Sequence, residues 1–414
     1  TVEATTVAAL IGKSPMTNEE PDENGEARWR VADTGKLERG SILVLDEISM
    51  ISVDEARIIE KMAKRNEVQV IMCGDMAQLS PVKGLSIAEA LERIPVRFRL
   101  SEVMRSGSKG IVAVSKSVRT TGDIDLDAID NETVFVYNDS SAFDKAFVET
   151  EGAVAIAYTN RRVDQLNQMK RTKIYGANPK KFENGEGVVL IEAPFFIDVK
   201  SGGSWQKVRV AENNDELTVL YSLGEAKDTN PFSKHTITST RLMLENKQTK
   251  VQFEARALTY SDYVDTFKAI FDDILAGVRA FAGRLDALTR KGVKDISLSE
   301  VKAHFKPHEA AWIAANSGRG HKWIDTTPEG YTPAKGAWSA VKALLFARDL
   351  YGFKARFAVL VYEHAFTAHR SQGSGFPHVF VDLPNLLTIR DADDRQAACY
   401  VAVSRAADTL HIRI

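Results

Sequence analysis

Short apolar runs that stop abruptly at acidic residues constrain this chain more than any other feature. Ile42-Leu43-Val44-Leu45 ends in Asp46-Glu47, and Val70-Ile71-Met72-Cys73 ends in Gly74-Asp75. A short, continuous apolar run reads as a strand buried on both faces, as in a parallel sheet. Between the two runs, Val53 to Arg65 spaces Ala56, Ile58, Ile59 and Met62 as the inner face of a helix. Strand, helix, strand in that order predicts a parallel sheet with crossover helices. Residues 96–100, 154–158, 379–383 and 410–414 read as further strands, and 395–406 as a helix between the last two. Both ends of the chain are therefore expected to be α/β. Ligands of open α/β sheets sit at the carboxyl ends of strands, which puts Asp46 and Glu47 where a ligand binds. Read alone, the pair is also an ordinary strand end with a solvated acidic turn.

The middle of the chain follows a different period. Residues 184–246 are rich in alternating β pattern, as in Val208-Arg209-Val210 and Leu217-Thr218-Val219-Leu220, with turns at Gly202-Gly203 and Asn213-Asn214. Residues 261–288 read as one or two helices carrying Tyr263, Phe267, Ile270, Phe271 and Ile274, and 337–351 as another. Residues 184–356 are expected to be an insertion. Trp205, Phe232, Trp312, Trp323 and Trp338 within it are expected to be mostly core. A formal net charge of −2 excludes a purely electrostatic polyanion binder, so a nucleic acid would have to be met by a local groove. Cys73 and Cys399 are the only cysteines and form no C-x-x-C pair, so no structural zinc is expected, and their scarcity fits a reducing compartment. Apolar runs such as Phe357 to Tyr362 are too short to span a bilayer, and no secretory leader is expected.

The chemistry sits at the strand ends. Asp46 suits a water-mediated hold on Mg²⁺, and Glu47 the polarisation of an attacking water. After Gly74-Asp75 a loop presents Gln78, then Leu79-Ser80-Pro81-Val82. A glutamine amide both accepts from a lytic water and donates to a phosphate oxygen, so it senses nucleotide state.

The string G-D-x-x-Q-L-x-P-V after a D-E strand end resembles motifs III and II of superfamily 1 helicases. Further motifs follow in order. Leu100-Ser101-Glu102-Val103-Met104-Arg105-Ser106 resembles motif IV, and Ala157-Tyr158-Thr159-Asn160 resembles the next strand-end motif. Phe366-Thr367-Ala368-His369-Arg370-Ser371-Gln372-Gly373 resembles motif V, and Tyr400-Val401-Ala402-Val403-Ser404-Arg405-Ala406 resembles motif VI. These forms are similar to the Dda-like superfamily 1B DNA helicases, the branch that includes RecD and the Pif-type enzymes.

The resemblance implies two RecA-like parallel-sheet motor domains, the first incomplete, with a β-rich SH3-like insertion in the second. Residues 1–97 would form the first motor domain with a pin hairpin at 15–36. Residues 98–183 and 357–414 would form the second, around the 184–356 insertion. It implies ATP and Mg²⁺ as cofactors, with Asp46, Gly74, Asp75, Gln78, Arg105, Gln372, Gly373 and Arg405 at the nucleotide. Glu47, Gln78, Arg105 and Arg405 would be catalytic, with Asp46 and Glu47 at the metal. Thr159, Asn160, Thr367, His369 and Arg370 would meet nucleic acid, and Trp29, flanked by arginines, would act as a stacking wedge.

Each residue also has a plainer role open to it. Arg105 and Arg405 are otherwise surface ion-pairing residues, His369 a packed histidine, Thr159 and Asn160 helix caps, and Trp29 the packing of its own hairpin. The implied partners are single-stranded and forked duplex DNA, with a single-strand-binding or replication protein as a further candidate. A monomeric cytoplasmic motor of phage or bacterial setting, without a membrane, is implied as well. A non-catalytic DNA-binding platform is the alternative.

Gly12-Lys13-Ser14 mimics the tail of a phosphate-binding loop, but Val7 stands where G-x-x-x-x-G-K-[ST] needs its first glycine, and Pro15 breaks the helix that should follow. The true loop is expected upstream of Thr1, and these residues alone are expected to be inactive.

Overall fold

A computed structural model describes residues 5–15, 29–30, 37–81, 87, 98, 100, 106–125, 129, 132–192, 194–201, 203–230, 233–290 and 350–414. Helix α1 (Val7–Leu10) leads into Gly12. Two short strands, β1 (Ser14–Pro15) and β2 (Trp29–Arg30), pair antiparallel with Pro15 beside Trp29. The rest of the expected pin hairpin lies outside the described residues. The chain divides into two compact units, Thr1–Gly12, Val31–Lys180 and Tyr362–Ile414 in one, Lys13–Arg30 and Lys181–Val361 in the other.

In the first unit, β3 (Ile42–Leu45) and β4 (Gln69–Met72) pair in parallel with Leu43 beside Val70. Helix α2 (Val53–Arg65) crosses between them. It starts at a capping box, in which Ser52 Oγ accepts from Glu55 N while the Glu55 carboxylate accepts from Ser52 N. Lys64 and Arg65 close its last turn against the helix dipole. Ile59 and Met62 pack with Leu45, Ile48 and Ile51. Burial on both faces is not observed: Ile42, Val44 and Ile71 remain exposed. Only the face that α2 covers is closed among the described residues.

The second sheet of this unit is parallel throughout. After α3 (Lys109–Thr121) come β5 (Val134–Tyr137), α4 (Ser140–Glu149), β6 (Ala153–Ala157) and α5 (Asn160–Tyr175). The chain later returns with β14 (Ala365–Thr367), α8 (Ala368–Ser371), β15 (Phe376–Asp382), α9 (Leu383–Leu386), α10 (Ala392–Val403) and β16 (Ala406–Arg413). Strand order is β14-β6-β15-β16-β5. Val379, Val381, Leu410 and Ile412 face α3 and α10, whereas Phe380 and the alanines of β6 face Phe143, Phe147, Val163 and Leu166 of α4 and α5. Helices on both faces explain why these strands read as continuous apolar runs. Helix α10 begins and ends three residues earlier than the 395–406 expectation. Asp391 caps it by accepting from Asp393 and Asp394 N, and Ala406 already belongs to β16.

The second unit holds β7 (Gly187–Ile191), β8 (Phe195–Ser201), β9 (Ser204–Ala211), β10 (Glu216–Thr229), β11 (Thr236–Asn246), β12 (Gln252–Thr259) and β13 (Phe357–Tyr362), the last running up to the unit boundary. A closed barrel runs β10-β11-β12-β13-β7, and β8-β9 forms a separate two-stranded hairpin. Closure removes the barrel's free edges. One helix, α6 (Tyr260–Arg290), buries Tyr263, Phe267, Ile270 and Ile274, with Phe267 edge-on to Phe353 of α7 (Gly352–Lys354) and to Phe357. Trp205 is not core: it is 70% exposed. Phe232, Trp312, Trp323, Trp338 and most of the expected 337–351 helix lie outside the described residues. Of the expected strand at 96–100, Phe98 and Leu100 are described and are exposed outside any strand.

Candidate functional site

The two strand ends of the first sheet are stitched together through the backbone. Cys73 N donates to Leu45 O at 2.7 Å and Ile48 N to Cys73 O at 3.1 Å. Asp46 is exposed and accepts from Glu47 N at 2.9 Å. Glu47 takes a left-handed conformation, φ 50° and ψ 48°. That conformation costs an L-residue about 1–2 kcal/mol, and such strain clusters where structure serves function. Gly74 is required by space: a Cβ there would lie 2.8 Å from Ile48 N and from Ile48 Cγ1. Beyond it, Ala77 N donates to Asp75 Oδ1 and Gln78 N to Asp75 O, a tight turn that presents Gln78. Leu79 then plugs into the core of the second sheet, 1% exposed and clustered with Ile111, Val114 and Val118.

Gln372 and Gly373, which follow α8, meet these strand ends. Gln372 Nε2 donates to Ser49 Oγ at 3.3 Å, and a Cβ on Gly373 would stand 4.0 Å from Glu47 Oε1. Glu47 Oε2, Gln78 Oε1 and Gln372 Oε1 are buried with no hydrogen-bond partner among the described residues. An unpartnered buried polar atom costs about 1–3 kcal/mol, so several around one strand end mark a place suited to a polar ligand. This brings Glu47, Gly74, Gln372 and Gly373 together, with Gln78 on the adjoining turn.

Asp75 turns towards the second sheet. Its Oδ2 accepts from Arg119 Nη1 at 2.6 Å and from the Tyr400 hydroxyl at 2.8 Å. Arg119 Nη1 also donates to the Tyr400 oxygen at 3.0 Å, and its guanidinium lies 5.4 Å over the Tyr400 ring. Burial and then the hydrogen bond to Asp75 push the Tyr400 phenol above its ordinary pKa, which keeps it a proton donor. Arg119 was not foreseen. In the last turn of a helix, an arginine reads as an ordinary dipole partner.

Arg405 lies differently from the expected cleft arginine. It is 1% exposed, and its guanidinium donates to Val401 O, Ser374 O and Ser404 Oγ at 3.1 Å each. The carbonyl that α10 leaves open near its C-terminus draws the charge inward. Arg105 lies outside the described residues.

The polar residues expected at nucleic acid fall at neighbouring strand ends of the second sheet. Thr159 caps α5, accepting from Arg162 N, and Asn160 is exposed beside it. Asn385 holds this corner: its Oδ1 accepts from Tyr158 N at 2.8 Å and Thr159 N at 2.9 Å, and its Nδ2 donates to Thr159 Oγ1. Asn385 N is anchored to Asp382, a fully buried carboxylate paired with both Arg162 and Arg413. Thr367 caps α8 and accepts from Arg370 N. Edge strand β14 is pinned by Asn167, which donates to Ala365 O and accepts from Ala365 N. Burial lowers the His369 pKa, so its imidazole is neutral at neutral pH. For Trp29 only the backbone is described.

Comparison with known proteins finds matches at both ends of the chain. An AAA domain model matches residues 1–139, and a UvrD-like helicase C-terminal domain model matches residues 362–412. A probable conjugal transfer protein TraA of Sinorhizobium fredii is 21% identical over 227 residues, 49% of this chain and 20% of that protein. Protein R530 of Acanthamoeba polyphaga mimivirus is 21% identical over 413 residues, 90% of this chain and 74% of that protein. The chain thus spans about a fifth of the first relative's length. A crystal structure of Pif1 helicase from Candida albicans superposes with a TM-score of 0.43 at 14% identity, over 90% of this chain and 71% of that one. The chain thus carries a region that matches an AAA domain and a region that matches a UvrD-like helicase C-terminal domain, at the two ends where its helicase-like motifs lie.

Proposed function

We propose that the chain belongs to an ATP-driven, 5′→3′ single-stranded DNA translocase and helicase of the Dda and RecD type. The observation that supports this best is the set of unpartnered buried oxygens of Glu47, Gln78 and Gln372 around the Asp46-Glu47 strand end. In this reading Glu47 takes the proton of the attacking water, and Gln78 orients that water against the γ-phosphate. Gln372 carries the nucleotide state into the second sheet.

Mg²⁺ binds proteins through one or two carboxylates and completes its shell with water and phosphate. Asp46, exposed and with one carboxylate oxygen unpartnered among the described residues, fits that role and would hold the ion, which would supply charge neutralisation for phosphoryl transfer. Arg105 and Arg405 are proposed to reach the nucleotide only on closure, which for Arg405 means exchanging its backbone carbonyls for phosphate. Thr159, Asn160, Thr367, His369 and Arg370 are proposed to grip the strand, and the barrel to act as an SH3-like clamp. The 5′→3′ direction rests on the T-x-H-R-S-Q-G and Y-V-A-V-S-R-A forms of the motifs.

No G-x-x-x-x-G-K-[ST] string occurs in these 414 residues, so they are proposed to bind single-stranded DNA without hydrolysing ATP. Anisotropy with a labelled oligonucleotide and a phosphate-release assay test both halves. Absence of single-strand binding overturns the proposal, and robust DNA-stimulated hydrolysis overturns its account of the phosphate loop. In a protein where such a loop precedes these residues, Glu47→Gln is expected to abolish turnover while sparing nucleotide binding.

A further inference from the structure

Helix α5 carries a buried guanidinium where the chain passes from one compact unit to the other. The crossings fall after Lys180 on the way out and before Tyr362 on the return. Arg171 is 1% exposed and reaches both. Its Nη2 donates to Lys180 O at 2.5 Å, and its planar face lies 4.0 Å from the centroid of the Tyr362 ring. Its Nη1 donates to Gln168 Oε1 of the same helix at 3.3 Å. On the preceding turn, Asn167 holds the backbone N and O of Ala365. Residues four apart share a helix face. The outgoing and returning segments are therefore fastened to one side of α5.

We propose that Arg171 is a staple that makes the two crossings a single joint, so that Lys181–Val361 cannot swing at one crossing without loading the other and α5. Bringing together the ends of so long an excursion costs chain entropy, but that cost grows only slowly with length, so a few local contacts can offset it. Arginine suits the task because its planar fork stacks on a ring with one surface and donates hydrogen bonds from its edge, which a lysine cannot do. Burial strengthens both contacts, and it makes them exacting, since a charged donor kept from water must find its acceptors in place. Helix α5 begins at Thr159, in the corner that Asn385 holds. Load on the joint therefore has a rigid path to that corner. The joint is independent of the proposed function, because it ties the chain whether or not nucleic acid is bound.

Hydrogen exchange of the whole 414-residue chain, read by mass spectrometry, tests the joint, because local opening exposes amides segment by segment. Arg171→Met keeps bulk and removes the charge. It is expected to speed exchange about tenfold in the peptides around Lys180 and around Tyr362 alike, while β15 and β16 keep their protection. Tyr362→Leu is expected to speed exchange around Lys180 as well as around itself, because the guanidinium loses the ring that steadies it. Tyr362→Phe keeps a ring there and is expected to match the wild type around Lys180. If Arg171→Met misfolds, the two Tyr362 variants decide the matter. A rise at one crossing only, or at neither, overturns the inference, since the crossings are then independent. So does a rise spread evenly over β5, β6, β15 and β16, which would make Arg171 an ordinary packing residue of the core.

Discussion

His411 ties the stability of the second sheet to pH. It lies on β16 between Phe135 and Phe380, stacked 4.8 Å from the first ring and 4.0 Å from the second. Its Nδ1 meets the Tyr137 hydroxyl at 3.0 Å and its Nε2 the Thr409 hydroxyl at 3.1 Å. Burial, with a smaller push from the charge of His378, lowers its pKa from 6.5 to about 4. The folded protein therefore holds a neutral imidazole over a range where the unfolded chain has bound a proton. Between these two values the unfolded state carries the extra proton, so stability falls as pH falls. At 1.36 kcal/mol per unit, the loss is about 2 kcal/mol by pH 5 and about 3 kcal/mol by pH 4. That is a large share of the roughly 5–15 kcal/mol that holds a typical protein folded.

Urea unfolding followed by circular dichroism at steps from pH 7.5 to pH 4 measures the loss, with His411→Phe as the comparison. Acidic residues titrate alike in both proteins, so the difference in slope isolates the one imidazole. Equal slopes in the two proteins between pH 6.5 and pH 4 would refute the reasoning. So would a histidine resonance for residue 411 titrating near 6.5 in the native state.

Other expectations concern the strand ends. Gly74→Ala forces its new methyl against the Ile48 backbone, and thermal unfolding is expected to show a loss of about 1–3 kcal/mol. Tyr400→Phe removes the hydroxyl shared by Asp75 and Arg119. A cost of about 1–2 kcal/mol is expected, and a double-mutant cycle with Asp75→Asn should show the two changes to be non-additive. Asn385→Ala leaves the amides of Tyr158 and Thr159 without their acceptor. Single-strand affinity should fall several-fold, while a control at the exposed Glu60 leaves it unchanged.

What was legible in the chain follows from how far each residue's environment lies from it in sequence. Helix α2 was readable from end to end because its periodicity, its Ser52-Glu55 cap and its basic last turn are all local. The D-E and G-D strand ends were readable because an abrupt change from apolar to acidic marks the edge of a buried layer. Asn385 was not, since its significance lies in amides 226 and 227 residues away. Arg119 was equally opaque, its partner Tyr400 lying 281 positions on. Trp205 was misjudged because apolar character alone cannot tell a barrel strand from a projecting hairpin that alternates in the same way. The inward turn of Arg405 depends on which carbonyls α10 leaves open, a matter of three-dimensional packing.

Leu79 makes the Gln78 turn a lever with its toe trapped. The residue is sequence-adjacent to the amide proposed to sense nucleotide, and its side chain is held among Ile111, Val114 and Val118. Extracting a buried leucine costs about 1.5–3 kcal/mol. Small excursions of the second sheet therefore drag Gln78 along with it, and only a larger one springs the toe free. Under the proposed function, the nucleotide site would feel strain before the two sheets have come apart.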